Sequence, residues 1–400
     1  IYEIGLEELL RASIGRNLFA STDLRAAVLG SELTLIAVGT PFDGKMIDLS
    51  FVRQVSEQIG HVLRDKQSYH VVVVKSTVVP GTTDEVVVPI LESASSKKAG
   101  KDFGVGMNPE FLTEGQAVAD FMNPDRIVLG GIDDRSIDQL AMLYDGFVDV
   151  QKLRTNTRTA EMIKYASNAL LATMISFSNE IANLGSALGG IDAVEVMNGV
   201  QASAYLTLQG PAAKGVKAPI SSFLYAGCGF GGSCLPKDVS ALIAHGEHAG
   251  LEMPLLRAVI KTNKEQPGKI LDLLRTRFPS LAGLRIAVLG LAFKPDTDDM
   301  RESPAIPIIR SLRAANVVVT AYDPVAMSEA KRIFASDGIA FASTLKECVQ
   351  GVDAVVLVTS WNEFEGLPAL LKEMPTQPVV VDGRRMLRKS SVDNYLGIGL

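Results

Sequence analysis

Cysteine is scarce in this chain: Cys228, Cys234 and Cys348 are all that 400 residues contain. Three thiols make no disulfide framework and point to a reducing compartment. The spacing of Cys228 and Cys234 fits no zinc pattern, and no Cys or His pair lies nearby to complete one. Only four histidines occur. His245 and His248 stand three apart beside Glu247, yet no further ligand is in view, so no metal is expected. No uncharged apolar run reaches membrane-spanning length, and the opening residues lack the layout of a signal peptide. The chain is read as having no repeat of solenoid period, no complete G-x-G-x-x-G run and no Walker A run. Charge of one sign is not in large excess. A net charge of −6 argues against nucleic acid or a membrane surface as the main partner. These absences leave an ordinary globular chain, 47% hydrophobic and 21% charged. It is long enough for two or three domains and is expected in the cytoplasm.

What is present centres on Gly227-Cys228-Gly229-Phe230-Gly231-Gly232-Ser233-Cys234-Leu235-Pro236-Lys237-Asp238. Glycines let the backbone take positive φ and approach a ligand closely. Pro236 suits the first turn of a helix, and Val239-Ser240-Ala241-Leu242-Ile243-Ala244 can continue it. Cys234 then sits near a helix N-terminus with Lys237 a turn away, an environment that favours thiolate over thiol. Taken alone, the stretch is equally compatible with a glycine turn followed by a half-buried structural cysteine. Cys348, in a helical pattern, reads as a small buried hydrophobe.

Strands alternate with helices on both sides of this centre. Glu7-Glu8-Leu9-Leu10 is helical, and Thr22-Asp23 reads as a helix cap. Leu33-Thr34-Leu35-Ile36-Ala37-Val38 is a buried strand ending in Gly39-Thr40-Pro41. Residues 48–63 read as a helix. Val71-Val72-Val73-Val74 closes in Lys75-Ser76-Thr77. Phe103-Gly104-Val105-Gly106 and Arg126-Ile127-Val128-Leu129-Gly130 are further strands. The pattern predicts a doubly wound sheet with ligands beyond the carboxyl ends of its strands. Residues 156–188 are helical over a length that suggests a spine between domains or subunits. On it Glu161, Lys164 and Asn168 share one face, for which a solvated polar stripe is the plain alternative. Residues 210–219 form a loop carrying Lys214 and Lys217. A second strand–helix alternation follows, with strand runs at 284–290, 317–324, 354–359 and 379–385. Lys294, Arg301, Arg384 and Arg385 make its strand ends basic, which suits a phosphate-bearing ligand.

Assembled in order, these motifs resemble the UDP-glucose/GDP-mannose dehydrogenase family over nearly the whole chain. The resemblance rests on Val38-Gly39-Thr40-Pro41, Lys75-Ser76-Thr77, Asn108-Pro109-Glu110-Phe111-Leu112-Thr113-Glu114-Gly115 and Asn123-Pro124-Asp125-Arg126-Ile127-Val128. It continues through Glu161 to Asn168, the cysteine loop, Phe293-Lys294-Pro295-Asp296-Thr297-Asp298-Asp299-Met300-Arg301-Glu302-Ser303-Pro304 and Asp382-Gly383-Arg384. It implies an α/β fold with two Rossmann-like domains joined by a helical centre: an NAD-binding domain at 1–153, a dimerising and catalytic domain at 154–267, and a nucleotide-sugar-binding domain at 268–400. The implied reaction is NAD-dependent, four-electron oxidation of a nucleotide sugar from C6 alcohol to carboxylate, UDP-glucose to UDP-glucuronate first among them, in a homodimer or higher oligomer.

The resemblance also implies residue roles. Cys234 is the nucleophile, through a thiohemiacetal and a thioester; Thr77 and Asp238 hold a water that helps remove the first proton. Lys164 and Asn168 stabilise charge on the substrate oxygen, a contribution of ~3 kcal/mol per donor. Glu114 is the base in thioester hydrolysis. Thr40, Ser76, Thr77, Glu114, Lys237 and Arg301 line the NAD site. Glu110, Phe111, Leu112, Lys164, Asn168, Tyr225, Phe230, Gly231, Lys294 and Arg384 line the nucleotide-sugar site.

Two departures from the family pattern stand out. The family opens with a strand, a G-x-G-x-x-G turn and an acidic ribose-binding residue; Ile1 aligns just after its second strand. The chain as written is therefore expected to be inactive, and active once that unit is restored. Ala218 stands where UDP-glucose enzymes carry an arginine, with Lys217 beside it, and Ile220-Ser221-Ser222 is similar to GDP-mannose enzymes. The alternatives are the same chemistry on GDP-mannose or an N-acetylated UDP-hexose, or a chain that binds a nucleotide sugar without chemistry.

Overall fold

The computed structural model describes residues 3–208 and 216–400. Residues 209–215, with Lys214 of the predicted loop, and residues 1–2 lie outside the described residues. The chain divides into two compact units, residues 3–168 with 240–252 and residues 169–239 with 253–400. Among the described residues no helix is long and apolar enough to cross a membrane.

The first unit is built on a five-stranded sheet in the order β1 (Leu33–Ile36), β2 (Val71–Val74), β3 (Gly104–Met107), β4 (Arg126–Gly131), β5 (Gln151–Thr155). The unbroken valine run of β2 follows from burial on both faces. Val72 and Val74 pack with Ile59, Leu63 and Leu91; Val71 and Val73 pack with Ile127, Leu129 and Leu140 on the other side. Helix Ser50–Asp65 buries Val52, Ile59, Val62 and Leu63 along one stripe. Gly60 lets helix Val88–Ser95 come close, since a Cβ there would meet the Ala94 Cβ at 2.6 Å. The β1–β2 and β2–β3 pairings are parallel, but β3 meets β4 antiparallel through Gly106–Gly131 and Met107–Gly130. The segment between β3 and β4 carries the short helix Ala117–Met122 and brings the chain back in the opposite direction, so the pair needs no crossover. β5 escaped the sequence reading because Leu153 is the one apolar residue in Gln-Lys-Leu-Arg-Thr.

The second unit carries six parallel strands: β6 (Arg285–Leu289), β7 (Val318–Tyr322), β8 (Ala340–Phe341), β9 (Ala354–Leu357), β10 (Val379–Asp382) and β11 (Tyr395–Gly397). Their order is β11-β10-β9-β6-β7-β8. With β6 counted as strand one, this is the 3-2-1-4-5-6 order of a Rossmann sheet read from its other edge, and its switch point lies between β6 and β9. A large core of Val, Ile, Leu and Ala encloses these strands and includes the buried Cys348. The predicted spine is a single helix, Thr157–Leu188. Its residues 157–168 count with the first unit and the rest with the second.

Candidate active site

The predicted site residues fall into two groups, one in each unit. In the first unit, Thr40, Ser76 and Thr77 stand beyond the carboxyl ends of β1 and β2. Thr40 Oγ1 donates to the Thr77 carbonyl at 2.7 Å, and Ser76 Oγ donates to the Val38 carbonyl at 2.7 Å. These bonds tie the two strand-end loops together and leave each hydroxyl oxygen able to accept.

Lys164 and Glu110 come together as well: Lys164 Nζ lies 2.9 Å from Glu110 Oε1, and the lysine side chain is only 5% exposed. Glu110 Oε2 accepts from the Leu112 amide at 2.7 Å, which sets the turn after Pro109. Phe111 lies under two cations, Arg126 at 4.0 Å and Lys164 at 5.5 Å from its ring centre. Leu112 is exposed and Glu114 half-buried. Glu161, Lys164 and Asn168 are all buried, so the shared face of the helix is no solvated stripe.

Sequence reasoning passed over two members of this cluster. Lys75, at the end of β2, donates to Asn108 Oδ1 at 2.8 Å. Burial pushes the Lys75 ammonium down to about 8; Glu110 opposes that shift and Lys164 adds to it. The buried Asn108 also donates to the Val128 carbonyl and accepts from Tyr144. The signal available beforehand was position: Lys75 and Asn108 each directly follow a buried strand.

In the second unit Cys234 is exposed, whereas Cys228 and Cys348 are buried. Cys234 stands immediately before helix Leu235–His248, and its carbonyl accepts the Asp238 amide at 2.8 Å. It is therefore the residue that opens the helix, as the Pro236 position predicted. Lys237 Nζ pairs with the buried Asp238 at 2.6 Å. Phe230 is buried, and Gly231 passes so close to residue 302 that a Cβ would fall 2.3 Å from the Glu302 carbonyl oxygen. Arg384 Nε donates to the Val358 carbonyl at 2.6 Å. Arg301 grips Asp299 through Nε and Nη2 at 2.8 and 2.6 Å. Lys294 Nζ lies 5.9 Å from the Phe293 ring centre. Tyr225 OH donates to Gln201 Oε1 at 3.1 Å, and Lys217 Nζ reaches the same oxygen at 2.8 Å. Arg385, one of the predicted basic strand ends, is a structural tie: it pairs with Asp192 at 2.8 Å and donates to the Ile398 carbonyl.

Phosphate-binding amides are closed off in three places. Glu161 accepts from the Gly81 and Thr83 amides at the start of the helical run after β2. After β6, the Leu291 and Ala292 amides donate to the buried Asp323 at 2.7 and 3.0 Å. Asp323 directly follows the second strand of this sheet, where a dinucleotide domain uses its acid on a ribose. Against the expectation that the chain holds no complete G-x-G-x-x-G run, Gly227, Gly229 and Gly232 have that spacing, but they follow no strand. The Gly227 amide goes to Asn179 and that of Gly232 to the Arg301 carbonyl.

Three family domain profiles match the chain in order. The NAD binding domain of the UDP-glucose/GDP-mannose dehydrogenase family matches residues 1–148, its central domain 158–265 and its UDP binding domain 287–389. The chain belongs to this family. It is 41% identical to UDP-glucose 6-dehydrogenase AglM of Haloferax volcanii over 98% of this chain and 88% of that protein. It is 40% identical to a GDP-mannose 6-dehydrogenase of Pseudomonas savastanoi over 81% of this chain and 70% of that protein. The solved UDP-glucose dehydrogenase of Pyrobaculum islandicum superposes with a TM-score of 0.87 at 37% identity, covering all of this chain and 87% of the other.

Membership makes the chain an NAD-dependent nucleotide-sugar dehydrogenase, with NAD assigned to the first unit's domain. The donor set there fits the nucleoside part of NAD. Neutral hydroxyl oxygens at Thr40 and Ser76 can accept from ribose hydroxyls. The Glu161 side chain already occupies the amides at the helix start after β2.

Proposed function

We propose that this enzyme oxidises the C6 alcohol of UDP-glucose to the carboxylate of UDP-glucuronate, in two steps, with Cys234 as covalent nucleophile. The observation that carries this is the contrast among the cysteines: Cys234 alone is exposed, and it opens a helix. Bound NAD supplies the hydride acceptor for both oxidations, held by Thr40, Ser76, Thr77, Glu114, Lys237 and Arg301. The Cys234 thiolate forms a C–S bond to the aldehyde carbon, and the oxygen takes up the displaced π electrons. Lys164 and Asn168 meet that charge; a buried ammonium paired with Glu110 suits the task. Thr77 and Asp238 hold the water that assists removal of the first alcohol proton. Once the carbon is an acyl group on sulfur, Glu114 takes a proton from the attacking water. The C–S bond breaks and Cys234 leaves as thiolate, so the oxidation of aldehyde to acid is split into a hydride transfer from a covalent adduct and an easy thioester hydrolysis.

Glu110, Phe111, Leu112, Tyr225, Phe230, Gly231, Lys294 and Arg384 are read as the sugar-nucleotide contacts. The chain is read as three domains, at 1–153, 154–267 and 268–400. Cysteines not joined in disulfides support a cytoplasmic setting. A homodimer through the long helix is supported by Leu170, Phe177, Leu184 and Leu188. All four are exposed, and their spacing of seven, seven and four places them along one face.

The test is NADH yield from the protein with UDP-glucose, GDP-mannose and N-acetylated UDP-hexoses. Two NADH per UDP-glucose with acid product is expected. Cys234→Ser is expected to stop at the aldehyde stage; undiminished acid formation would remove Cys234 from its role. Acid production from GDP-mannose alone would move the substrate assignment.

A further inference from the structure

The loop that precedes Cys234 has no regular secondary structure between Leu224 and Cys234, so its backbone groups must find partners elsewhere. Two helices supply them through side-chain amides. Asn179, on Thr157–Leu188, accepts from the Gly227 amide at 2.8 Å. Asn263, on Pro254–Glu265, accepts from the Phe230 amide through Oδ1 at 2.8 Å and donates from Nδ2 to the Phe230 carbonyl at 2.9 Å. Both backbone groups of one residue are thus satisfied by one side chain, as a neighbouring strand would satisfy them. Gly229 makes the approach possible. At φ 104°, a Cβ on it would lie 3.1 Å from Asn263 Oδ1 and 3.4 Å from the Asn263 carbonyl oxygen. The far side of the loop is equally confined. The Gly232 amide donates to the Arg301 carbonyl at 2.8 Å, and a Cβ on Gly232 would sit 2.8 Å from the Phe293 ring.

We propose that Asn263 is a positioning residue that fixes the course of residues 229–233 and so the presentation of the Cys234 thiol at the start of its helix. The proposal rests on reading Cys234 as the nucleophile, but its consequence is read on the thiol itself. Cys228 is anchored separately, through its amide on the Gly383 carbonyl. Among the described residues no other side chain bonds to the Phe230 backbone, so removing the Asn263 side chain releases both of its groups.

The experiment is site-resolved alkylation of the intact chain by iodoacetamide across a range of pH, with the buried Cys348 as the folding control. In Asn263→Ala the alkylation rate at Cys234 is expected to change by about tenfold, and the midpoint of its pH profile by about half a unit or more, with Cys348 still protected. A Cys234 profile indistinguishable from the wild type, with Cys348 protected, overturns the proposal. If alanine also exposes Cys348, Asn263→Asp decides. It keeps the volume and the acceptor for the Phe230 amide but sets a carboxylate against the Phe230 carbonyl. It must reproduce the Cys234-specific change, and a wild-type Cys234 profile in it overturns the proposal. Failure here leaves the catalytic reading intact, because acid formation by Cys234→Ser is measured independently.

Discussion

Replacing Glu161 by glutamine sets two opposing effects on one carboxylate against each other. The side chain is fully buried. It accepts from the Gly81 amide at 2.6 Å, the Thr83 amide at 2.8 Å and Thr83 Oγ1 at 2.7 Å. These donors favour the ionised form, but burial outweighs them and pushes the carboxyl from 4.5 up to about 7. The folded chain therefore holds a proton that the unfolded chain has already released. Its contribution is fully present below 4.5 and is lost as pH rises through about 7. A rise of this size is worth about 3 kcal/mol. Glutamine keeps the shape and one acceptor oxygen but has no proton to lose. Its amide turned toward a donor adds a cost that does not depend on pH. The stability difference between wild type and Glu161→Gln should thus shrink by about 3 kcal/mol from about pH 5 to about pH 8, followed by urea unfolding. Parallel pH profiles for the two proteins would mean that the donors win and Glu161 is ionised throughout.

Two further substitutions test other parts of the structure. His70 is buried, its Nδ1 3.0 Å from the Ser31 carbonyl and its Nε2 2.8 Å from Thr34 Oγ1, a geometry that suits the neutral ring with Nδ1 as donor. Burial lowers it from 6.5 to about 4, so its contribution is present above 6.5 and lost as pH falls through about 4. A His70→Asn chain should lack that loss of about 3 kcal/mol in urea unfolding at acid pH, and an unchanged acid limb would contradict the assignment. Gly231→Ala should cost about 1–3 kcal/mol and weaken nucleotide-sugar binding, because its Cβ meets the Glu302 carbonyl oxygen rather than a side chain that can swing away. Wild-type calorimetric binding and melting would show that residues 231 and 302 are not so closely held.

Local pattern revealed what is local in the structure. The helix of residues 157–188 showed itself by apolar periodicity, β2 by its valine run, and the position of Cys234 by glycines followed by Pro236. The bonds that hold the site were not visible, since each joins residues far apart in the chain. Glu161 and Gly81 are 80 positions apart, and Asn263 and Phe230 are 33 apart. Neither asparagine nor glutamate announces in sequence whether it faces a ligand or a backbone amide. Arg385 shows the same limit: beside Arg384 it reads as part of a basic strand end, yet Asp192, 193 positions away, takes its charge.

The two α/β units close the same kind of opening in the same way, and this bears on where phosphate is recognised. A helix start or the turn after a first strand is a ready anion site, because its amides lack partners. Here Glu161 fills the one after β2 and Asp323 the one after β6. A side-chain oxygen already bonded to those amides leaves a diphosphate no donors there. In the second unit Asp323 also accepts from Trp361 Nε1 and from the Val325 and Ala326 amides, so it is locked into the core and cannot turn outward. The proposed nucleotide contacts are accordingly side chains at the strand ends. The proposal that Lys294 and Arg384 contact the substrate, which the family resemblance implies, is compatible with this closure on a sheet whose strand order alone would suggest a dinucleotide. Asp323→Asn would sharpen the point. It removes the charge while keeping one acceptor oxygen, so a gain in diphosphate affinity would identify the carboxylate as the excluding group. No gain would place the exclusion in the packing of the loop itself.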